Sequence, residues 1–466
     1  MNLKTILGSL SIILTINLNA QTTSKYITKD KLNQDFDFLV KSIKETHPNP
    51  YSVISKSDFD YQVSSIKTNF KDSLNLKSYY QLIAPFVASL HDGHTSLTFP
   101  GRKLLNSDDH LFPYIIKASI EKPYLKVTEN ISNEYMQIPV DAEILKIDNL
   151  TSEEIIQKII KNTSGESDIY RLKMGADFNM FAFLFGSFHE LKENTNVEYN
   201  YKNKNHNITI PTVTLNELME IAKKRNSSSN NKLIEEIPSF SLDIDNHNKT
   251  AIIDIHSFDD KKKFEDFLKE SFEHINSKKI KKLIIDICEN GGGNSVLAEE
   301  LMKYISNEPF RLFDKTLIKY SQLQKDFYDD YCKNDSQYCE TYNYIKSKKN
   351  GEIDIFSIKD LILPYPKEKQ FKGKIYLLTS SRTFSSAMNF AQAFKHYKIG
   401  KIIGEETGGW IVSYGDKIIT KLPESNIPLS ISTKQFYTVG TNDKDFHGVK
   451  PDVKIKAENA LKYIQK

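Results

Sequence analysis

The spacing of apolar residues changes three times along the chain. Residues 28 to 90 carry helical periodicity with few β-branched runs, broken at "HPNPY", which predicts a helical N-terminal module. From about 110 to 215 the pattern turns to short strands such as "YLKVTE", "AEILKID", "VEYNY" and "ITIPTV". One helix, "SEEIIQKII", interrupts them, with Thr151 or Ser152 as its predicted cap. The stretch "KKRNSSSNNK", 223 to 232, holds no apolar residue and reads as a linker or exposed loop. After it, continuous apolar runs ("TAIIDI", "KKLIIDIC", "KIYLLTS", "KIIGEE") alternate with helical segments. Strands of that kind are buried on both faces, so this half predicts an α/β unit. A polar, Tyr- and Lys-rich insertion separates the last two of these strand–helix units at roughly 315 to 360, and no internal repeat is present.

With 466 residues, 39% of them hydrophobic, the chain is long enough for two or three domains. A formal charge of +3 makes no global field for nucleic acid or anionic lipid, and runs such as Lys261 to Lys263 read as solvated faces. Residues 1–20 differ from the rest: Lys4, an apolar middle from Ile6 to Leu14, and Ala20 before Gln21 follow the pattern of a secretory signal peptide. No Cys follows Ala20, which argues against a lipid anchor, and no later run reaches the ~20 apolar residues of a membrane span. An exported, soluble mature chain without an integral membrane segment is expected. Export permits a disulfide, and Cys332 and Cys339 lie in one polar segment that can close a small loop. Cys288 sits in an apolar strand and reads as an inert buried thiol; no Cys/His spacing suggests a structural zinc.

Two turns between a strand and a helix are candidates for chemistry, because ligands sit where strands end and helices begin, and one loop after a helix offers a base. "DICENGGGNS", 286 to 295, offers three glycines. It lacks the Gly-Lys-Ser/Thr of a phosphate loop, while an oxyanion hole built from glycine N–H groups fits it equally well. "SSRTFSSA", 380 to 387, crowds hydroxyls at a helix start, where a cap at Ser385 or Ser386 is the commoner role and a nucleophile the sharper one. No GxSxG elbow is present. "SLHDGHTSL", 89 to 97, places His91 and His94 just after a helix; HxxH without a third ligand does not make a metal site, and a plain loop histidine is the ordinary reading.

The set "LHDGHT", "LIIDICENGGGN", "LLTSSRTFSSAMNFAQAF", "IIGEETGG" and "HGVKPDV", in this order, resembles the C-terminal-processing (tail-specific) serine peptidase family, and its tricorn-core branch more closely. The resemblance covers most of the mature chain and is weakest from 110 to 235, where "VDAEILKIDN" is similar to the second half of a PDZ-like module. It implies an α/β, crotonase-like (ClpP-like) peptidase core at 233–466, a PDZ-like, β-rich module at 104–232, and the helical module at 21–103. It further implies a polypeptide substrate, an acyl-enzyme mechanism, and neither metal nor organic cofactor. The family nucleophile falls on Ser385, with the N–H of Ser386 and that of Gly292 or Gly293 as oxyanion hole. The lysine-dyad branch is disfavoured because Trp410 stands at its lysine position, so the base falls on His94. The third member falls on Asp445, three residues before Gly448, with Asp443 as the alternative; the family usually has Glu there. Cys288 and Met388 replace an Arg and an acid usual in the family, which leaves a second reading open: a non-catalytic peptide-binding protein that keeps the fold.

Overall fold

The computed structural model describes residues 26–131, 137–177, 180–228 and 238–465. The expected signal peptide lies outside them. The chain divides into two units, one made of residues up to Ile237 with Ile418–Ile431, the other of Pro238–Lys417 with Ser432–Lys466.

In the first unit the helical periodicity becomes helices Lys29–Thr46, Lys56–Thr68 and Leu76–Ala88, with the break at 47–51 where "HPNPY" stands. Asn75 caps the third helix by accepting the Ser78 N–H, and the helix ends at Ser89, one turn before the "DGH" loop. The strands form an antiparallel sheet in the order Lys204–Pro211, Asn194–Tyr201, Glu143–Ile147, Tyr124–Asn130, Tyr114–Ser119. Its inner face packs Ile116, Val127, Ile144 and Val197 against Ile156 and Ile159 of helix Ser152–Asn162. Thr151, not Ser152, caps that helix, in a reciprocal pair with Glu154; the Ser152 hydroxyl donates to the Ile144 carbonyl instead.

Two features depart from the sequence reading. Helices Asp168–Ala176 and Met180–Phe188 join the single helix expected among these strands. "MFAFLFGSF" is apolar all round because nearly every side chain in it is buried, so it carries no amphipathic period to read. In addition, residues 223–228 of the expected linker close helix Leu215–Ser228; the rest lies outside the described residues. Thr214 and Glu217 cap that helix reciprocally, and Lys and Arg propagate it well.

The second unit is built on a sheet in the order Phe240–Asp245, Thr250–Ile255, Lys282–Asp286, Lys374–Thr379, Lys401–Gly404, Val453–Lys454, parallel after its first strand. The apolar run "KLIID" is explained by its two covered faces. Leu283 and Ile285 pack against helices Lys261–Ser277, Ser295–Ile305 and Ser386–His396, while Ile284 meets Ala460 and Ile464 of helix Ala457–Gln465. All parallel strands therefore end on the same side, where the glycine turn and the serine turn lie next to one another.

The insertion carries helices Gln322–Asn334 and Cys339–Ser347, and Cys332 is disulfide-bonded to Cys339. A ring this short stabilises by about 2.5 kcal/mol in the loop-entropy model. The oxidised protein is expected to melt higher than a Cys332→Ser/Cys339→Ser variant. Intact-mass analysis after alkylation in denaturant without reductant should find a single modified thiol, that of Cys288. Among the described residues no helix is long and apolar enough to cross a membrane.

Candidate active site

The strand Lys374–Thr379 ends in a turn that sorts its four serines by what each hydroxyl touches. Ser380 Oγ donates to the Cys288 carbonyl, Ser381 Oγ to Glu405 Oε2, and Ser386 Oγ to the Gly293 carbonyl. Ser385 is the N-cap residue of helix Ser386–His396, yet its side chain does not cap the helix. Its backbone stands at φ 53° and ψ −127°, a conformation that costs a non-glycine residue about 1–3 kcal/mol. Such cost is tolerated where the surroundings over-determine it, and here they do. The Phe384 N–H donates to the Asn290 carbonyl, and Thr383 Oγ1 donates to the Ile287 carbonyl.

The glycine turn comes from the neighbouring strand, Lys282–Asp286, and is shaped by close approach. At Gly292 (φ +109°) a Cβ would stand 2.6 Å from the Ser385 Cβ. At Gly293 (φ +131°) it would stand 2.4 Å from the Phe258 carbonyl oxygen. Only glycine fits at either place. The two amides differ in use. Gly292 N–H donates to Asn290 Oδ1 at 2.8 Å. Among the described residues, neither Gly293 N–H nor Ser386 N–H has an acceptor. Ser385, Ser386, Gly292 and Gly293 are thus gathered at one helix N-terminus, the end that favours negative charge.

His94 belongs to the first unit. His91 leaves the preceding helix with φ 53°, and Asp92 Oδ1 accepts the His94 N–H at 2.8 Å, an Asx turn that sets the loop. Ser430 Oγ donates to the His94 carbonyl at 2.8 Å. His94 Nδ1 stands 3.8 Å from Asp92 Oδ1, and Asp92 Oδ2 is 3.2 Å from Nε2 of the fully buried His47. The Asn49 N–H donates to His47 Nδ1, so the proton of His47 sits on Nε2 and points at Asp92. Burial opposes ionisation of Asp92, but the His47 and His94 imidazoles outweigh it and hold the carboxyl well below its usual range. His91 is turned elsewhere, its Nδ1 3.0 Å from the Glu166 carbonyl oxygen. Burial, aided by the charge of Arg171, lowers its pKa.

The two acids considered for the third position lie in the second unit. Asp443 pairs with Lys315 Nζ at 3.1 Å, which lowers its pKa together with Tyr437. Asp445 Oδ2 accepts from the Asn442 backbone N–H and Nδ2, and its Oδ1 is 4.0 Å from His447 Nε2. Trp410 packs edge-on to Phe446 at 5.5 Å between ring centroids. The Cys288 thiol is pushed well up by burial and by Asp286, as befits an unreactive cysteine.

His47, Asp92 and Glu166 were not singled out by sequence reasoning. Asp92 sits inside the quoted "LHDGHT", but nothing in spacing links it to residues 45 and 74 positions away. Glu166 is 1% exposed, with neither carboxyl oxygen in a well-formed hydrogen bond among the described residues. Burial first, and the charge of Asp92 second, push its pKa well above the usual carboxyl range. A folded-state pKa above the unfolded one means a stabilising contribution that is complete below the unfolded pKa and lost as pH rises through the folded value. Glu166→Gln removes that loss. Its Tm is expected to match wild type below about pH 4 and exceed it near about pH 8. The gain is about 1.4 kcal/mol for each pH unit between the unfolded and folded values. Thermal melts of both proteins at the two pH values check this.

Residues 249–455 match the family described as peptidase family S41. Among solved structures, mature CPAF superposes with a TM-score of 0.64 at 16% identity, over 94% of this chain and 96% of that one. Mature CPAF complexed with lactacystin gives 0.63 at 14%, over 94% and 97%. The photosystem II D1 C-terminal processing protease gives 0.43 at 13%, over 93% and 94%. At these identities the two CPAF structures establish a shared mixed α/β fold. No curated protein sequence matches the chain.

Proposed function

Because the chain carries a peptidase family S41 domain and is a serine-type peptidase, we propose that it is an exported C-terminal-processing endopeptidase with Ser385 as nucleophile and His94 as base. One observation carries this reading. Of four clustered serines, Ser385 is the N-cap residue yet makes no side-chain cap, and it stands in a strained backbone conformation close against Gly292. In the proposed reaction Ser385 Oγ attacks the scissile carbonyl carbon while His94 takes the hydroxyl proton. The N–H groups of Gly293 and Ser386 stabilise the oxyanion, since the Gly292 N–H is already given to Asn290. Collapse returns the proton to the leaving amine, and water then hydrolyses the acyl-enzyme. Asp445 is the third member in this proposal, because Asp443 is committed to Lys315.

Residues 233–466 are proposed as a crotonase-like core, 104–232 as a PDZ-like module that holds the polypeptide, and 21–103 as the helical module that presents His94. Export is supported by the signal-peptide pattern of residues 1–20 and fits the Cys332–Cys339 disulfide. A mature N-terminus at Gln21 in the exported protein would test that part.

A fluorophosphonate probe tests the centre of the proposal. Labelling of wild type and loss of label in Ser385→Ala supports an acyl-enzyme mechanism. A folded wild-type protein that neither labels nor cleaves, but still binds peptides, favours the non-catalytic alternative.

A further inference from the structure

His94 is surrounded by more buried ionisable groups than a loop histidine needs. Within its unit these are Asp92 on its own loop, and His47 at the end of helix Lys29–Thr46. Glu166 comes from the segment between helices Ser152–Asn162 and Asp168–Ala176, with the buried Arg171 and the exposed Asp168 near it, and the half-buried His91 begins the loop. Ligand atoms of Asp92, His94 and Glu166 all lie within 4.8 Å of one another. Asp92 is the one held by directed contacts on both oxygens: Oδ1 takes the His94 N–H, and Oδ2 takes the His47 Nε2–H.

We propose that Asp92, locked in place by His47, is the positioning carboxylate of the base, holding the His94 loop through its backbone N–H and stabilising the imidazolium by its charge, 3.8 Å from Nδ1, when Ser385 gives up its proton. The proposal rests on the reading of Ser385 and His94, and where it holds Asp92 takes the role that the family pattern gives to Asp445. An Asx turn alone needs only a side-chain oxygen, which asparagine supplies. It does not need a second, fully buried histidine whose tautomer is set by the Asn49 N–H and whose proton faces the other oxygen. That arrangement holds a charge, not merely a turn. Glu166 does not compete for the role, because burial and the charge of Asp92 push its pKa well above the usual carboxyl range while Asp92 is held well below it. An opposite charge at 3.8 Å favours the protonated imidazole, so its removal makes that ion harder to form.

The test uses the full-length mature protein with a peptide substrate and the fluorophosphonate probe, each across a range of pH. Asp92→Asn keeps the acceptor for the His94 N–H and removes the charge. It is expected to lower kcat by about 10²–10⁴-fold, the scale of losing the carboxylate from a serine–histidine system. The acidic limb of its pH–rate profile should move to lower pH, which a turn-forming role alone would not cause. His47→Leu is expected to act in the same direction, and His47→Gln, which keeps an N–H donor, to recover much of the loss. Asp92→Asn with wild-type turnover and an unmoved acidic limb would overturn the proposal. Should Asp92→Asn fail to fold, equal activity of the two His47 variants at the wild-type level overturns it as well. Failure of the underlying reading is seen separately, as cleavage that survives Ser385→Ala or His94→Ala.

Discussion

Ser385→Ala is expected to melt like wild type and to lose about 10⁴–10⁶ in kcat, the scale seen when a hydrolase loses its nucleophile. The two halves of that result have different causes. The Ser385 side chain does not cap helix Ser386–His396, so that helix does not depend on it for its N-terminus. The neighbouring serines should behave in the opposite way. Ser380→Ala gives up a bond to the Cys288 carbonyl and Ser381→Ala one to Glu405, each worth about 1 kcal/mol, with turnover largely kept. Ser386→Ala keeps the N–H proposed for the oxyanion hole and loses its hydroxyl bond to Gly293. Peptide cleavage by the four variants, with thermal melting alongside, tests the assignment. Wild-type cleavage by a normally folded Ser385→Ala would refute it.

His94→Ala is expected to be nearly as damaging, about 10⁴–10⁶ in kcat, because Ser Oγ is a poor nucleophile until an imidazole accepts its proton. His91→Ala is the matched control. Its ring is occupied by the Glu166 carbonyl, so its loss should cost stability by about 1 kcal/mol and activity only a few-fold. Wild-type turnover should fall on acidification through the range in which imidazole titrates, since a protonated base cannot take the serine proton. Steady-state kinetics of the two variants, with the wild-type pH profile, decide between the histidines. Activity surviving in His94→Ala and lost in His91→Ala would reverse the assignment.

Much of this molecule is written locally. Two-faced apolar strands, helix caps and turn residues act over a few positions, so the α/β half, the three N-terminal helices and the two reactive turns are legible as text. "MFAFLFGSF" escaped because a helix buried on every side has no periodicity, and 223–228 escaped because a polar stretch can extend a helix already capped upstream. The serine turn shows the boundary most clearly. That one hydroxyl among four is set apart follows from residue types and their order, and the family resemblance points to Ser385. What the other three hydroxyls bind follows only from where Cys288, Glu405 and Gly293 stand, 92, 24 and 93 residues away.

The same division holds for the glycine turn and the histidine loop. Three consecutive glycines announce a close approach, but the difference between Gly292, whose N–H is taken by Asn290, and Gly293, whose N–H is not, depends on a folded loop. "LHDGHT" names a histidine, yet only folding brings His47 and Glu166 to its aspartate. Sequence alone determined most of the elements, the family resemblance with the serine it points to, and the residue types at the reactive turns, because these depend on neighbours within a turn or two. Tertiary structure alone decided what each neighbouring hydroxyl binds and which amide and which buried acid are set apart, because hydrogen bonds and burial are made by residues far apart in the chain.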